Sequence, residues 1–349
     1  MKRAGRPPYG TVRDFTGARP TPNVFEGMKT ITALCLLAIS PCLRAAEESS
    51  DQAAELAKQL SNPVASLISV PFQANYDFNM GPTDNGSKFT LNIQPVIPVS
   101  ISKDWNVIVR TILPVISQHD VFYRDIRSFP GLPDRILKDI PPELRDEAER
   151  DARRLYDRGV KSHPQNRSQD GLGDTTQSFF FSPKEPGAGG IIWGLGPVIL
   201  YPTATDDLLG GEKWGLGPTL VALKQTGGWT YGVLANHIWS IAGDNDRQDI
   251  SSTFLQPFVS YTTKTHTSFT LNAESTYNWE ESQWTVPINA MVSQILKIGK
   301  QPVSVQLGGR YYAEGPSGAP DWGVRLTFTL LFPTGKHEPG PHDGKHYAK

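Results

Sequence analysis

The chain has 349 residues, of which 20% are charged and 10% are aromatic, with 32 glycines and 29 prolines. Its formal net charge of -1 excludes the large positive surface by which proteins bind nucleic acid, so no nucleic-acid partner is expected. The sequence has no run of roughly 18 apolar residues, the length that a membrane-spanning helix needs. If the protein lies in a membrane, β-strands must therefore cross it.

Residues 28–46 are typical of a secretory signal peptide. They combine a basic start, a short apolar centre and small residues before a cleavage site after Ala45 or Ala46. Because a signal peptide opens a chain, residues 1–27 are expected to be a misassigned or untranslated extension.

Both cysteines of the sequence, Cys35 and Cys42, lie within this signal. The mature chain is therefore expected to have no disulfide and no thiol chemistry, although it leaves the cytoplasm. A lipid anchor on Cys42 is the alternative, but Pro41 before it is a poor context for lipoprotein processing.

The hydrophobic period changes from helical to two at Pro63. Residues 47–63 are expected to form a short periplasmic helix. Between Ser66 and Asn79 the even-numbered positions are apolar and most odd-numbered positions are polar, which is typical of a strand with two different faces. Similar patterns predict twelve strands, at residues 66–79, 88–101, 105–115, 174–183, 190–201, 214–225, 228–241, 251–262, 267–279, 283–295, 302–313 and 321–332.

Tryptophan positions and loop lengths distinguish a barrel in lipid from a soluble β-sandwich. All eight tryptophans fall near predicted strand ends, as expected where amphipathic rings gather at two membrane interfaces. Alternate connections are mostly long and polar at one end of the strands and short at the other, which is the asymmetry of outer-membrane barrels. Residues 64–333 are therefore predicted to form an all-β, closed antiparallel transmembrane β-barrel of about twelve strands in the bacterial outer membrane. Residues 334–349 are expected to be a flexible tail that contains histidines.

The longest external connection carries a charged insertion at residues 133–160. Pro141 and Pro142 open a segment whose apolar residues share one helical face, and Gly159 closes it. The expected structure is a solvated external helix. A constriction or lid folded into the barrel is the functional alternative.

Eight prolines within the predicted strands do not fit an uninterrupted sheet, because each removes a hydrogen-bond donor. Bulges or strand ends are expected to accommodate several of them. The eight are Pro71, Pro95, Pro98, Pro114, Pro197, Pro218, Pro257 and Pro287.

Several segments of the chain resemble one family of outer-membrane proteins. They are residues 61–73 (SNPVASLISVPFQ), 91–98 (LNIQPVIP), 171–174 (GLGD), 201–205 (YPTAT) and 235–240 (ANHIWS). They resemble the proteins named for the MetA pathway of phenol degradation, which are often labelled "transporter" or "neuromedin U". The resemblance covers about residues 56–333 and implies a barrel and transport of aromatic compounds, with no catalytic motif. The insertion at 133–160 and the tail after Phe332 depart from the family pattern.

The polar phase of the strands supplies the residues expected to line the barrel interior. They mix both charge signs, so strong charge selectivity is not expected. A structural interpretation is that the three arginines among them pair with the three carboxylates and neutralise a polar interior. The candidates are Gln73, Asn75, Asp77, Asn92, Gln94, Arg110, Asn272, Glu274, Asn289, Arg310, Glu314 and Arg325.

One predicted hairpin presents small and apolar groups to the interior instead. The motif Trp-Gly-Leu-Gly-Pro occurs in both of its strands, at residues 193–197 and 214–218. Its glycines are expected to make room for a helix or loop packed inside, to thin the wall where a hydrophobic solute leaves sideways, or to allow barrel curvature.

The sequence contains no assembled constellation for catalysis or metal binding, so no enzyme activity, catalytic residue, metal or cofactor is predicted. His237 lies in the apolar phase, where a lipid hydrolase would need it, but no Gly-x-Ser-x-Gly motif accompanies it. Asp244, Asp246 and Asp249 lack the glycine and glutamate of a calcium loop.

These patterns favour an outer-membrane channel or facilitator for small, weakly polar or aromatic molecules. Its expected partners are outer-membrane lipid and a small-molecule solute. The alternatives are a closed structural or binding barrel that acts through its external loops and, less favoured, an outer-membrane lipid hydrolase. The width of the lumen separates the first two, because side chains or an inserted loop either leave a pore or fill it.

Overall fold

The computed structural model describes residues 50–81, 84–121, 132, 137–138, 140–161 and 168–333. The expected extension at 1–27, the signal at 28–46 and the tail at 334–349 lie outside these residues. Within the part of the chain that is described, no helix has the length and hydrophobicity required to cross a membrane.

A single antiparallel sheet of sixteen β-segments dominates the fold. The segments are β1 (Leu67–Met80), β2 (Gly86–Ile93), β3 (Val96–Ser100), β4 (Trp105–His119), β5 (Ser168–Leu172), β6 (Thr175–Pro183), β7 (Ile191–Tyr201), β8 (Lys213–Thr226), β9 (Trp229–Gly243), β10 (Ser251–Thr262), β11 (Thr267–Ala273), β12 (Ser275–Asn278), β13 (Gln283–Thr285), β14 (Pro287–Ile298), β15 (Gln301–Tyr312) and β16 (Trp322–Pro333).

Four pairs of neighbouring segments are interrupted halves of one strand, so the sheet has twelve spanning strands. The pairs are β2 with β3, β5 with β6, β11 with β12, and β13 with β14. The first and last segments, β1 and β16, pair from Leu67 opposite Pro333 to Phe78 opposite Trp322. This pairing closes the sheet, and the predicted twelve-strand antiparallel barrel is confirmed.

The prolines account for several interruptions of the sheet, because each lacks a backbone N–H group. Pro95 lies between β2 and β3, and Pro287 begins β14. Pro197 and Pro218 lie opposite each other on β7 and β8, where the ladders to the outer neighbours β6 and β9 skip residues. The remaining prolines lie within strand segments.

The outer face of the barrel is apolar and carries the tryptophans in two girdles. All eight tryptophan side chains are between 36% and 56% exposed. At the end with short turns, which is the periplasmic end of such barrels, lie Trp105, Trp193 and Trp229. At the end with long loops lie Trp214, Trp239, Trp279, Trp284 and Trp322.

A short helix, α1 (Ser50–Leu60), occupies the periplasmic mouth. Its Leu56 and Ala57 are each 4% exposed, and Leu56 packs in a cluster with Leu67 and Leu331 of the first and last strands. The Gln225 side chain donates a hydrogen bond to the Lys58 carbonyl at the end of this helix (2.9 Å). The helix is therefore fixed to both the closing seam and the far wall.

The external insertion contains a 3-10 turn (Pro142–Leu144) followed by a helix, α2 (Arg145–Lys161). Leu144 is 48% exposed, and none of the described side chains from residue 145 to 154 is buried. The prediction that Gly159 closes the helix is wrong, since the helix continues two residues further. Glycine weakens a helix by about 1 kcal/mol but, unlike proline, leaves its hydrogen bonding intact.

Candidate functional site

Two cavities inside the barrel share part of their lining. The upper chamber, of about 640 Å³, lies towards the external loops and is lined by Asn75, Asp77, Lys88, Asn92, Arg310 and Tyr312 among others. The lower chamber, of about 250 Å³, ends at the residues after α1 and is lined by Gln94, Arg110, Gln256 and Asn272. Three residues line both chambers and form the waist between them: Gln73, Glu274 and Arg325.

The waist is built around an ion pair. Arg325 donates two parallel hydrogen bonds to the Glu274 carboxylate, at 2.7 and 2.8 Å, and a third from Nε to the side-chain Oδ1 of Asn75 at 2.7 Å. Asn75 lies directly opposite Arg325 across the closing seam. Glu274 lies at the break between β11 and β12, where its backbone N–H donates to the Pro287 carbonyl (3.0 Å). The proline at the start of β14 thus accompanies the break that presents Glu274 to the interior.

Four neighbouring strands of the upper chamber place charged residues in one row. Across β15, β16, β1 and β2 the row reads Arg310, Gly323, Asp77 and Lys88. The Asp77 carboxylate leans over Gly323, where a side chain would collide with it. It lies 3.4 Å from Arg310, whose guanidinium also lies 5.4 Å from the centre of the Tyr312 ring.

Amides and an arginine line the lower chamber. Arg110 donates a hydrogen bond to the Gln94 side chain at 2.9 Å. Asn289 donates to Asn272 at 2.7 Å and is fully buried. Gln256, on β10, completes the polar wall facing the waist.

The structure brings ten of the twelve predicted lumen-lining residues together around the two chambers. Asn289 lines neither chamber and lies within the wall behind Asn272. Glu314 is a correction: it follows β15 at the external end, is exposed, and lies within 3.5 Å of the Gln283 amide instead of an arginine. Because β15 ends at Tyr312 and a turn follows, Glu314 does not continue the alternation of inward and outward residues on which the prediction was based.

Sequence reasoning did not include Lys88 or Tyr312 among the lumen-lining residues. Lys88 shares the phase of Asn92, so alternation along β2 contains the signal for it. The sequence pattern alone does not distinguish Tyr312 from the aromatic residues near strand ends that face the lipid. The predicted pairing of Arg110 with a carboxylate is also wrong, since none lies within 4.0 Å of it among the described residues.

One wall of the interior is apolar. Val221 and Leu223 of β8 pack with Phe180 of β6 and with Val64, which follows α1. A Cβ atom built on Gly194 would lie 3.2 Å from Val64 and 3.1 Å from Phe180. This glycine therefore makes room for the segment packed inside, as one of the three interpretations predicted.

The other glycines of the repeated motif meet neighbouring strands. Side chains at Gly196 and Gly217 would collide with the backbone carbonyls of Phe179 and His237. These positions accompany the gaps in the ladders beside Pro197 and support the interpretation of local curvature.

Hydrogen bonds join two motifs of the family resemblance at the external end. The Asp174 carboxylate accepts from the backbone N–H groups of Ala204 (3.1 Å) and Gly211 (2.7 Å). The Thr205 hydroxyl accepts from the Leu172 N–H at 3.0 Å. Residues 171–174 and 201–205 thus form one folded unit that orders the long loop between β7 and β8.

The neighbouring external loop is anchored by Asp249. The Lys213 ammonium, 3.0 Å away, and the Ser240 hydroxyl, 3.1 Å away, lower the pKa of this carboxyl. Asp244 accepts a hydrogen bond from the backbone of Asp246 (2.8 Å). Across the described part of the chain, no group of three histidine, cysteine, aspartate or glutamate side chains could hold a metal ion.

His237 lies on the lipid-facing surface within the external girdle. Its Nδ1 lies 2.6 Å from the Thr253 hydroxyl, which also accepts from the Trp279 indole at 2.8 Å. Its ring centre lies 4.0 Å from that of Trp239. Its other nitrogen, Nε2, has no hydrogen-bond partner among the described residues.

No protein-family model matches the chain, and no curated protein matches its sequence. Among solved structures, it is similar to an outer membrane channel of Pseudomonas putida F1, with 12% identity and a TM-score of 0.51 over 76% of this chain and 96% of that chain. It also matches outer membrane phospholipase A of Escherichia coli, with 9% identity and a TM-score of 0.39 over 80% of this chain and 98% of that chain. The likeness to the channel shows the fold alone.

The fold and its surface together define where the protein resides. A closed barrel leaves no unpaired sheet edge in lipid, and aromatic girdles mark the two membrane interfaces. The exposed tryptophans and the apolar band between them have this arrangement. The protein is a β-barrel of the bacterial outer membrane.

Proposed function

We propose that the protein is an outer-membrane channel or facilitator for small molecules. The observation that carries the proposal is the pair of chambers along the barrel axis, which share the waist at Gln73, Glu274 and Arg325. Polar groups line this path, as expected of a route for solutes that would otherwise cross lipid. The residues after α1 end the path at the periplasmic mouth, so passage requires this segment to move.

The solutes proposed for this path are weakly polar or aromatic. Val96 and Phe258 offer an apolar surface for a ring in the lower chamber. The side-chain amides of Gln94, Gln256 and Asn272 line the same chamber and offer hydrogen bonds. The resemblance to the proteins named for the MetA pathway of phenol degradation favours the same solutes, and membership of that family stays a prediction.

The proposed activity is transport without chemical conversion. The partners proposed are the surrounding outer-membrane lipid, which the apolar outer face fits, and the small solute itself. Catalysis needs a nucleophile and base that are oriented by further groups. Ser168, His119 and Asp120 at the external end come nearest to this arrangement, with His119 Nδ1 2.6 Å from the Ser168 hydroxyl and Nε2 3.2 Å from the Asp120 carboxylate. His237 pairs with the Thr253 hydroxyl alone. We propose that the role of both groups is structural.

The second candidate is a closed barrel that binds ligands through its external loops. A further cavity of about 720 Å³ at the external end favours it. Arg247, Asp249, Asn278 and Gln283 line this cavity outside the chambers.

Single-channel conductance in planar bilayers tests the proposal. The refolded chain from residue 47 onward is compared with a variant that lacks residues 47–62 and one that lacks residues 133–160. We expect discrete steps that grow when residues 47–62 are removed, because this segment ends the lower chamber. Removal of residues 133–160 is expected to leave the step size unchanged, since none of its described residues lines a chamber.

Two results would change the proposal. Silence of all three folded barrels would support the closed, loop-binding barrel. Larger steps only after removal of residues 133–160 would make the insertion the constriction. Folding of each variant is checked by the migration of unheated barrel in detergent gels.

A further inference from the structure

The described residues that line the two chambers carry more positive than negative charge. Four are cations, namely Lys88, Arg110, Arg310 and Arg325. Two are carboxylates, namely Asp77 and Glu274. Pairing of every carboxylate therefore leaves two positive charges facing the interior.

Each of the two carboxylates already lies beside an arginine, and Asp77 Oδ1 is buried without a hydrogen-bond partner among the described residues. Glu274 accepts both of its short hydrogen bonds from Arg325. Asp77 is displaced over Gly323 towards Arg310, on the side away from Lys88 in the row. Among the described residues, no carboxylate lies within 4.0 Å of Lys88.

Arg310 is also incompletely satisfied. Its contact with Asp77 is 3.4 Å long, whereas charge-assisted hydrogen bonds are usually about 2.7–2.9 Å. Its Nε atom is buried and has no hydrogen-bond partner among the described residues. A buried N–H group without a partner costs about 1–3 kcal/mol. Lys88 and Arg310 thus face one chamber with donors that an additional anion would satisfy.

We propose that the upper chamber binds a small organic monoanion, a carboxylate, whose charge is held by Lys88 and Arg310. The Tyr312 ring beside Arg310 supplies a face for the apolar body of the ligand. This inference rests on the proposed function, because it names the solute class of the same path. It also differs from the sequence-based expectation that the lumen lacks strong charge selectivity.

The waist forms the lower boundary of the proposed binding site. Because Arg325 and Glu274 neutralise each other, a carboxylate at the waist meets a closed ion pair, and Arg110 is the only cation beyond it among the described residues of the lower chamber. The chamber of about 640 Å³ has room for one small aromatic or aliphatic acid with its water.

Binding of sodium benzoate to the refolded protein in detergent, measured by calorimetry, tests the inference with benzamide as the neutral isostere. We expect benzoate to bind at least about tenfold more tightly than benzamide, and Lys88→Met to weaken benzoate about tenfold with little effect on benzamide. The matched control is Lys300→Met, which removes the same charge from an exposed periplasmic turn. Lys88→Gln is the second variant if the methionine variant does not fold.

Bilayer recordings separate this inference from the proposed function. Benzoate binding that needs Lys88 in a barrel without conductance supports the site and contradicts the channel. The site is contradicted if benzoate and benzamide bind equally, or if Lys88→Met leaves benzoate binding unchanged. If the same barrel conducts, the channel is still supported. Absence of benzoate binding also overturns the site. In a salt gradient, the wild type is expected to prefer anions and Lys88→Met to lose part of that preference.

Discussion

Arg325 and Glu274 form a buried, two-pronged ion pair between the two chambers, both of which they line. The arginine side chain is 3% exposed and the glutamate side chain 20% exposed. Removal of one partner of a buried pair leaves an uncompensated charge, which costs about 3–5 kcal/mol, whereas removal of both is often neutral. Each partner of the pair therefore contributes to stability chiefly because it compensates the buried charge of the other.

The first prediction concerns this pair. Arg325→Met is expected to lower the free energy of unfolding by about 3–5 kcal/mol, and Arg325→Met with Glu274→Gln to recover most of that loss. Denaturant unfolding of the barrel in detergent micelles, followed by tryptophan fluorescence, measures both. Arg153→Met, at an exposed position of α2, is the control. Equal destabilisation of the single and double variants would show that Arg325 acts through packing and Asn75, not through Glu274.

The second prediction concerns the attachment of α1 to the barrel wall. Gln225 donates to the Lys58 carbonyl, the Ser61 hydroxyl and the Thr230 hydroxyl, at 2.9, 3.2 and 3.0 Å. Gln225→Leu removes all three bonds and is expected to release the helix end, which raises tryptic cleavage after Lys58. The expected increase is about thirtyfold, since the two bonds that reach the helix end, to Lys58 and Ser61, contribute about 1 kcal/mol each.

Digestion of the folded barrel followed by mass spectrometry measures this cleavage. The control is Gln248→Leu, in the exposed external loop. Cleavage after Lys58 at the wild-type rate in Gln225→Leu would mean that the apolar contacts of Leu56 hold the helix without these bonds.

The barrel could be predicted from the sequence because each spanning strand repeats a local signal. Alternation along β1 separates Ser69, Asn75 and Asp77 from the apolar phase, and these three are indeed buried. The tryptophans mark the strand ends independently. Strand boundaries were less predictable: β4 ends at His119, whereas the predicted strand ends at Val115.

The charge arrangement could not be predicted because it depends on register between strands. The sequence places Asp77 and Lys88 eleven positions apart, but only pairing across the closing seam puts Gly323 between Asp77 and Arg310. Because Gly323 has no side chain, the Asp77 carboxylate can lie over it, towards Arg310. The closing seam joins the two ends of the chain, so no local pattern reports it.

The third prediction is a pH dependence of the external loop that contains Asp249. Lys213 and Ser240 lower the pKa of its carboxyl in the folded protein. A lowered folded-state pKa contributes stability that is fully present above the unfolded value of about 3.9 and is lost as the pH falls through the folded value. Residues 244–250 are therefore expected to keep their order from neutral pH to about 4 and to loosen only below it.

Hydrogen exchange of the loop, normalised to an unstructured peptide at each pH, measures this transition. Asp249→Asn is expected to abolish it, because the amide does not titrate. Glu281→Gln, in another exposed external loop, is the control. Loosening that begins near neutral pH, or that persists in Asp249→Asn, would assign the transition to a different group.

The last prediction concerns His237 on the outer surface. A hydrolytic histidine needs its base nitrogen on a nucleophile and its other nitrogen on an orienting group. Here Nδ1 faces the Thr253 hydroxyl, while Nε2 has no partner among the described residues. The Trp279 indole also donates to that hydroxyl, so the three residues form a structural bridge between strands.

His237→Phe is therefore expected to cost about 1 kcal/mol of unfolding free energy and to leave conductance unchanged. Mixed micelles of a fluorescent phospholipid, with and without calcium, are expected to show no hydrolysis by the wild type. Hydrolysis that His237→Phe and Thr253→Val both abolish, while a neighbouring Trp239→Phe retains it, would make this girdle a catalytic surface and overturn the structural role.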